Sequence, residues 1–278
     1  MVAGPGESAK LREFELMREK ITALVLTFNE APNIERTLRQ LNWAKQILIV
    51  DSFSTDGTVD LAKSVAPHAV ILQRAFDTFA SQCNFGLGQV TTEWVLSIDA
   101  DYVLNPELIA EIGALDSKAE VAGYSVEFRY CIFGHPLRNT VYPARTVLYR
   151  RHLAKYHDEG HGHRVAVDGT IKRLARKIDH DDRKPLSCWI KSQDAYAKIE
   201  ARHLRSQSLD KLSVQDRLRR RIFLAPPAIF LYLLLGRGLI LDGWPGWFYV
   251  CQRTIAELLL SLRLLIDSLG LESGRDDG

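Results

Sequence analysis

Asp99-Ala100-Asp101 directly follows the apolar run WVLSI at 94–98, so two carboxylates stand one residue apart where a buried strand would end. Hard divalent cations take oxygen ligands, and carboxylates supply them. Asp99 and Asp101 are therefore candidate ligands for Mg²⁺ or Mn²⁺, with Asp101 the direct one and Asp99 acting through ribose or water. An ion held there would neutralise the charge that builds on a departing diphosphate, the step required when a sugar leaves a nucleotide donor. The competing use of Asp101 is to cap a helix that begins near Asn105-Pro106-Glu107.

Other polar residues follow apolar runs in the same way. Asp51 closes QILIV, and its carboxylate suits the imide N–H of uracil, a ribose hydroxyl, or simply a turn. Thr27, Phe28 and Glu30 close ITALVLT; Phe28 would line a base pocket or belong to the core. Asp56-Gly57-Thr58 reads as a turn and helix cap. Further on, residues 157–164 read HDEGHGHR. A transfer to a hydroxyl needs a base, and Asp158 and Glu159 are the carboxylates available in that string. His161 is a candidate contact to diphosphate, and His157, His161 and His163 are a weaker candidate metal set. The competing reading of residues 152–164 is a solvated polar loop. His180-Asp181-Asp182 forms one more polar cluster.

These residues need elements to hold them. Apolar, β-branched runs at 21–27, 46–50, 69–73 and 94–98 predict buried strands. Helical patterns fall between them, at 58–66, at 81–89 and after Asn33, a candidate N-cap for a helix with Ile34, Leu38 and Leu41 on one face. Strands alternating with helices predict a parallel sheet with helices on both faces, and ligands of such sheets bind beyond the carboxyl ends of the strands. Thr27, Glu30, Asp51, Asp99 and Asp101 all fall at that edge. Residues 123–130 and 145–149 predict further strands, antiparallel to the main sheet, and 186–207 a long helix.

Composition is that of an ordinary globular chain: 278 residues, 46% hydrophobic and 25% charged. A net charge of +2 gives no reason to expect a nucleic-acid partner. Cys83, Cys131, Cys188 and Cys251 are far apart, with no CxxC pair, so neither zinc nor a disulfide framework is expected. Residues 1–20 are polar and unlike a secretory signal, which places the catalytic part in the cytoplasm.

LVLTFNEAPNIERTL, ILIVDSFSTDGTVDLA, QCNFGL and WVLSIDAD, in this order and spacing, resemble the family-2 glycosyltransferases of the GT-A fold. Within that group the chain is most similar to bacterial lipopolysaccharide-core β-glucosyltransferases and related cell-envelope enzymes. The resemblance covers about the first hundred residues. It implies an inverting transfer, donor contacts at Thr27, Glu30, Asp51 and Asp99, and metal at Asp101. It also implies a donor contact at Asn84, although Cys83 stands where relatives carry Arg, and one at His180. The catalytic carboxylate of relatives falls near HDEGHGH, hence Asp158 or Glu159.

The last quarter is different. Residues 202–221 are rich in arginine, and 222–235 (IFLAPPAIFLYLLL) carry no charge. That run is shorter than the roughly 20 residues a spanning helix needs. Trp244, Trp247, Phe248 and Tyr249 follow, then an amphipathic stretch at 255–269. Basic, apolar and aromatic residues in that order predict a peripheral anchor on the inner face of the cell membrane, the alternative being a helical hairpin packed on protein. The expected organisation is an arm at 1–20, an α/β, Rossmann-like GT-A domain at 21–210 and a C-terminal helical extension at 211–278. The expected activity is transfer from a nucleotide-sugar donor, UDP-linked, to a glycan or lipid-linked acceptor. The rivals are a polyprenyl-phosphate glycosyltransferase and a non-catalytic sugar-binding or scaffold protein of the same fold.

Overall fold

The computed structural model describes residues 5–116, 120–159, 162–210 and 212–271. Its elements in chain order are α1 (Pro5–Arg18), β1 (Ile21–Thr27), α2 (Ile34–Arg39), β2 (Gln46–Asp51), α3 (Thr58–Val65), β3 (Val70–Gln73), α4 (Phe79–Gln89), β4 (Trp94–Asp99), β5 (Tyr102–Val103), α5 (Pro106–Gly113), β6 (Gly123–Ile132), β7 (His135–Pro136), β8 (Arg145–Arg150), β9 (Ala154–Glu159), β10 (Gly162–Val167), β11 (Ile171–His180), α6 (Leu186–Ser206), α7 (Val214–Arg219), α8 (Ala225–Leu231) and α9 (Trp244–Ser268). Two compact units result, residues 1–134 with 141–183, and residues 135–140 with 184–278.

The first unit is built on a sheet in the order β3-β2-β1-β4-β8-β6-β11-β5. The pairings β3-β2, β2-β1, β1-β4 and β6-β11 are parallel. β8 runs antiparallel to both β4 and β6, as expected for residues 145–149. The same expectation for residues 123–130 is corrected: β6, being antiparallel to β8, runs in the same direction as β1, β2 and β4. Side chains alternate across a strand, and here the alternation separates two cores. Ala23, Val25, Ile47 and Ile49 face one side with Ile34 and Leu38 of α2, Ala62 of α3 and Leu108 of α5. Leu24, Leu48 and Val50 face the other with Ala80, Cys83 and Leu87 of α4. A strand covered on both faces must be apolar throughout, which is why β1 reads ITALVLT. The fold is thus the α/β sheet with helices on both faces that the pattern predicts. Helix α1 packs on α5: a β-carbon at Gly113 would lie 1.9 Å from Phe14 Cδ2, and Met17 is buried.

Two further expectations need correction. The segment expected as a polar loop at 152–164 carries strands among its described residues; β9 and β10 pair antiparallel with Tyr156 opposite Val165, and Tyr156 is buried against the α4 face of the sheet. Asn33 does not cap α2 with its side chain; it bridges instead to residues far away in the chain.

The second unit is helical. Ala197, Ala201 and Leu204 of α6 pack on Leu260 and Leu264 of α9, with Leu212 between them. Pro226 and Pro227 sit in the first turn of α8, where the missing N–H costs nothing. Within the apolar run, Leu233 and Leu234 are buried, whereas Phe223, Leu224, Leu231 and Leu235 are exposed. Among the described residues no helix is long and apolar enough to cross a membrane.

Candidate active site

Parallel pairing places the carboxyl ends of β1, β2 and β4 on one edge, with Thr27 level with Asp51 and Leu26 level with Asp99. Asp51 is fully buried there. Its carboxylate accepts from Thr27 Oγ1 at 3.0 Å, the Ser54 N–H at 2.9 Å, the Ser54 hydroxyl, and Gln73 Nε2 at 3.2 Å. Of the roles left open by the sequence, the turn is the one observed: Asp51 shapes its own turn at the carboxyl end of β2.

The loops after β1 and β2 are stitched together. Asn29 N–H donates to Ser54 Oγ, Thr55 N–H to Asn29 Oδ1, and Glu30 N–H to Thr58 Oγ1. Asp56 accepts from Ala31 N–H and from the Thr58 N–H and hydroxyl, the turn-and-cap role expected of it. This lacing holds Asn29 and Phe53 at positive φ, 53° and 60°, a conformation bulky residues rarely adopt. Phe28 and Phe53 stand out of these loops, 57% and 53% exposed. Phe28 is therefore a surface aromatic and not part of the core.

Asp101 does not cap the next helix; Asn105 does, its Oδ1 accepting the Leu108 N–H at 2.8 Å. Asp101 Oδ2 instead meets His180 Nε2 at 3.0 Å. His180 ends β11 and is enclosed by the rings of Tyr102, Tyr130 and Tyr142. Burial lowers its pKa, but the charge and hydrogen bond of Asp101, with Asp99 and Asp182, outweigh burial and leave it above the ordinary value. Asp99 faces Arg145 Nη1 at 3.7 Å, and that guanidinium lies over the Tyr142 ring. Burial lowers the Arg145 pKa, while Tyr102, Tyr142, Asp99 and Asp101 more than offset it.

A second layer lies behind Asp101. Asp181, nearly buried, donates its N–H to the Asp101 carbonyl at 3.1 Å and takes Arg36 Nη1 at 2.7 Å. Arg36 Nη2 also donates to Asn33 Oδ1, which accepts the Arg183 N–H as well. Asn33 Nδ2 donates to Glu30 Oε2 and Asp182 Oδ1. Fully buried Asn33 thus ties the loop after β1 to the end of β11.

On the opposite face of the sheet, Ala80 N–H at the start of α4 donates to Asp158 Oδ1 at 3.1 Å. Burial pushes the Cys83 thiol of α4 up, and the charges of Asp99 and Asp158 push it further. Asn84 exchanges both of its amide bonds with the Tyr156 backbone, at 3.0 and 2.9 Å, fixing α4 to β9. The side chains of Glu159 and His163, and all of His161, lie outside the described residues.

The donor set fits a hard cation. Asp99 and Asp101 are carboxylates on either side of Ala100, and His180 Nδ1 is a buried nitrogen with no hydrogen-bond partner among the described residues. No group of three His, Cys, Asp or Glu side chains already converges there among the described residues. An ion would therefore take its remaining oxygens from phosphate and water, as Mg²⁺ commonly does.

The sequence model described as Glycosyl transferase family 2 matches residues 22–168, more than half of the chain and all the edge residues except His180. The chain belongs to this family. Among curated relatives, an uncharacterized glycosyltransferase of Rickettsia bellii is 38% identical over 99 residues, 35% of this chain and 33% of that protein. The chain thus spans about a third of the length of the first curated relatives it matches. The lipopolysaccharide core biosynthesis glycosyltransferase LpsC of Rhizobium meliloti is 25% identical over 88% of this chain and 91% of its own length. Among solved structures, S. aureus TarS 1–349 in complex with UDP aligns over 93% of this chain and 94% of that one, with 15% identity and a TM-score of 0.45. As a family-2 glycosyltransferase of the GT-A fold, the chain carries contacts that no sequence motif indicated: Arg145 beside Asp99, and the Asn33–Arg36–Asp181 layer behind Asp101. Arg145 stands at the head of an apolar strand, a visible signal. Arg36 and Asp181 are 145 positions apart and give none.

Proposed function

We propose that this glycosyltransferase moves a sugar, with inversion, from a UDP-linked donor to a glycan or lipid-linked acceptor of the cell envelope. The observation that carries this is the convergence of Thr27, Asp51, Asp99 and Asp101 on one edge of the parallel strands. Asp51, held rigid by Thr27 and Ser54, would accept from the base or ribose, with Phe28 beside it and Glu30 supporting the same loop. Asp101, with Asp99 and His180, would hold Mg²⁺ or Mn²⁺, which stabilises the departing diphosphate when bound. His180, Asn84 and His161 remain proposed donor-side residues, Asn84 through its hold on β9. The acceptor oxygen attacks the anomeric carbon, the bond to the diphosphate breaks, and the hydroxyl proton passes to Asp158 or Glu159. The Ala80 N–H fixes the direction of the Asp158 carboxylate. The name of the relative LpsC supports a cell-envelope acceptor.

We extend the reading to the second unit. Exposed Phe223, Leu224, Leu235, Leu241, Trp244 and Trp247 would rest on the cytoplasmic membrane surface, beside a lipid-linked acceptor. Leu233 and Leu234 take no part, being buried.

The test is a nucleotide-sugar panel assayed with and without Mn²⁺, for the wild type and for Asp158→Asn and Glu159→Gln. Donor-dependent, Mn²⁺-stimulated turnover, lost in one amide variant that still binds donor, is the expected result. Wild-type transfer by both variants would move the base elsewhere or make the acceptor a phosphate.

A further inference from the structure

Four arginines of the second unit, at 217 and 219–221, divide by direction. Arg219 turns inward: its Nη2 lies 2.6 Å from buried Glu257, with Glu200 and Asp216 also within ion-pair reach. Arg217, Arg220 and Arg221 form no ion pair among the described residues. Arg217 Nε donates to the Leu212 carbonyl at 2.9 Å and Arg220 Nη1 to the Gln207 carbonyl at 3.1 Å. These three line an open cleft of about 510 Å³ with Leu209 and Asp210. Three cations against one carboxylate leave the cleft positive, and guanidinium forks match phosphate oxygens better than any other side chain.

The residues immediately after these arginines distinguish the cleft from a pocket for a soluble anion. Ile222 has φ 57°, a strained value for a β-branched residue. It is held there because its side chain packs on the Leu260–Leu264 side of the helical core and its carbonyl accepts from Ser261 Oγ at 2.6 Å. With Ile222 tucked in, Arg221 and Phe223 stand outward on either side of it. Phe223 is 70% exposed and Leu224 also faces solvent. An arginine-lined cleft thus runs directly into unpartnered apolar side chains, the order of groups met on crossing from lipid headgroup to acyl chain. A soluble phosphate would use the first and leave the second without purpose.

We infer that this cleft takes the headgroup phosphate of an anionic membrane lipid, with Phe223 and Leu224 entering the acyl boundary below it. The inference rests on the membrane-surface reading of the second unit and adds a chemical preference to it. The experiment is flotation of the full chain with vesicles of phosphatidylcholine alone and of phosphatidylcholine with phosphatidylglycerol, alongside calorimetry with inorganic phosphate. The wild type should favour the phosphatidylglycerol vesicles. Each arginine removed should cost about fivefold in that preference, roughly a hundredfold for Arg217→Gln, Arg220→Gln and Arg221→Gln together. Arg221→Gln alone, whose wild-type side chain makes no hydrogen bond among the described residues, should show the fivefold loss with an unchanged melting curve. Phe223→Ser with Leu224→Ser should weaken binding to both vesicle types. Equal wild-type binding to the two vesicle types, or an unchanged preference in Arg221→Glu, overturns the phosphate site and leaves surface attachment standing. Indifference to all vesicles overturns both. Tight binding of inorganic phosphate without vesicle binding overturns the headgroup assignment in favour of a free anion.

Discussion

Replacing Arg36 by methionine separates the contribution of the layer behind Asp101 from that of Asp101 itself. Arg36 and Asp181 are 2.7 Å apart, with side chains 24% and 5% exposed. Removing one partner of such a pair strands the other charge in a poorly solvated place, a loss of about 3–5 kcal/mol when nothing else compensates. Here Asp181 keeps the Arg183 guanidinium at 2.8 Å and the Gly134 N–H at 3.0 Å. The expected loss is therefore smaller, about 2 kcal/mol, read as a shifted urea midpoint at unchanged slope. Asp181→Asn should cost a similar amount, and the double variant less than the sum, by about 1 kcal/mol, because the stranded charge is gone. The functional consequence is separable. Asp181 N–H holds the Asp101 carbonyl, so loosening this layer should weaken Mn²⁺ activation about tenfold, the usual effect of removing a residue that orients a metal ligand. Strictly additive stabilities, together with an unaltered Mn²⁺ dependence, would refute the reasoning on both counts.

Three further outcomes are expected. Asp101→Asn should lower Mn²⁺-stimulated turnover by orders of magnitude and remove the Mn²⁺ response, while the protein still folds with a lowered urea midpoint, because buried His180 loses its charged partner; metal-independent wild-type turnover unchanged in the variant would exclude the metal role. Gly113→Val should destabilise the fold by about 1–3 kcal/mol by driving into the Phe14 ring, measured by thermal melting, and a paired Phe14→Ala should relieve part of that loss. Alkylation of the native protein at pH 8 should label exposed Cys188 and Cys251 and spare Cys83 and Cys131, since burial pushes the Cys131 thiol up to about 12 and Cys83 higher still; mass spectrometry that finds Cys83 labelled at a comparable rate would mean that α4 does not stay packed on the sheet.

The parts of this protein that are legible in its sequence share one property: their signal is local. A strand buried on both faces writes itself as an unbroken apolar run, and the residue at its carboxyl end is the polar one that stops the run. Hence ITALVLT with Thr27, QILIV with Asp51 and WVLSI with Asp99 can be read directly. The hairpin of β9 and β10 is legible too, in principle. Gly160 and Gly162 punctuate the sequence there, and half-buried Val165 and Val167 alternate with exposed Arg164 and Ala166, one face apolar as in a half-buried strand. The density of histidines and acids points to a loop only when charge is weighed ahead of alternation. Pairing across distance is not legible. Asn33 has the residue type and position of a helix cap, and only the fold shows that its amide is instead shared among Glu30, Asp182, Arg36 and Arg183. Burial decides between the two uses: a cap at a solvent-facing helix start needs one backbone partner, whereas a fully buried amide must satisfy every donor and acceptor it carries. The same rule explains why the helix is not capped by Asn33 and why Arg36 is drawn inward one turn later. Once the loop after β1 is anchored to Asp181, the carbonyl of Asp101 is anchored with it, so the position of the proposed metal carboxylate depends on a residue 145 positions from its partner.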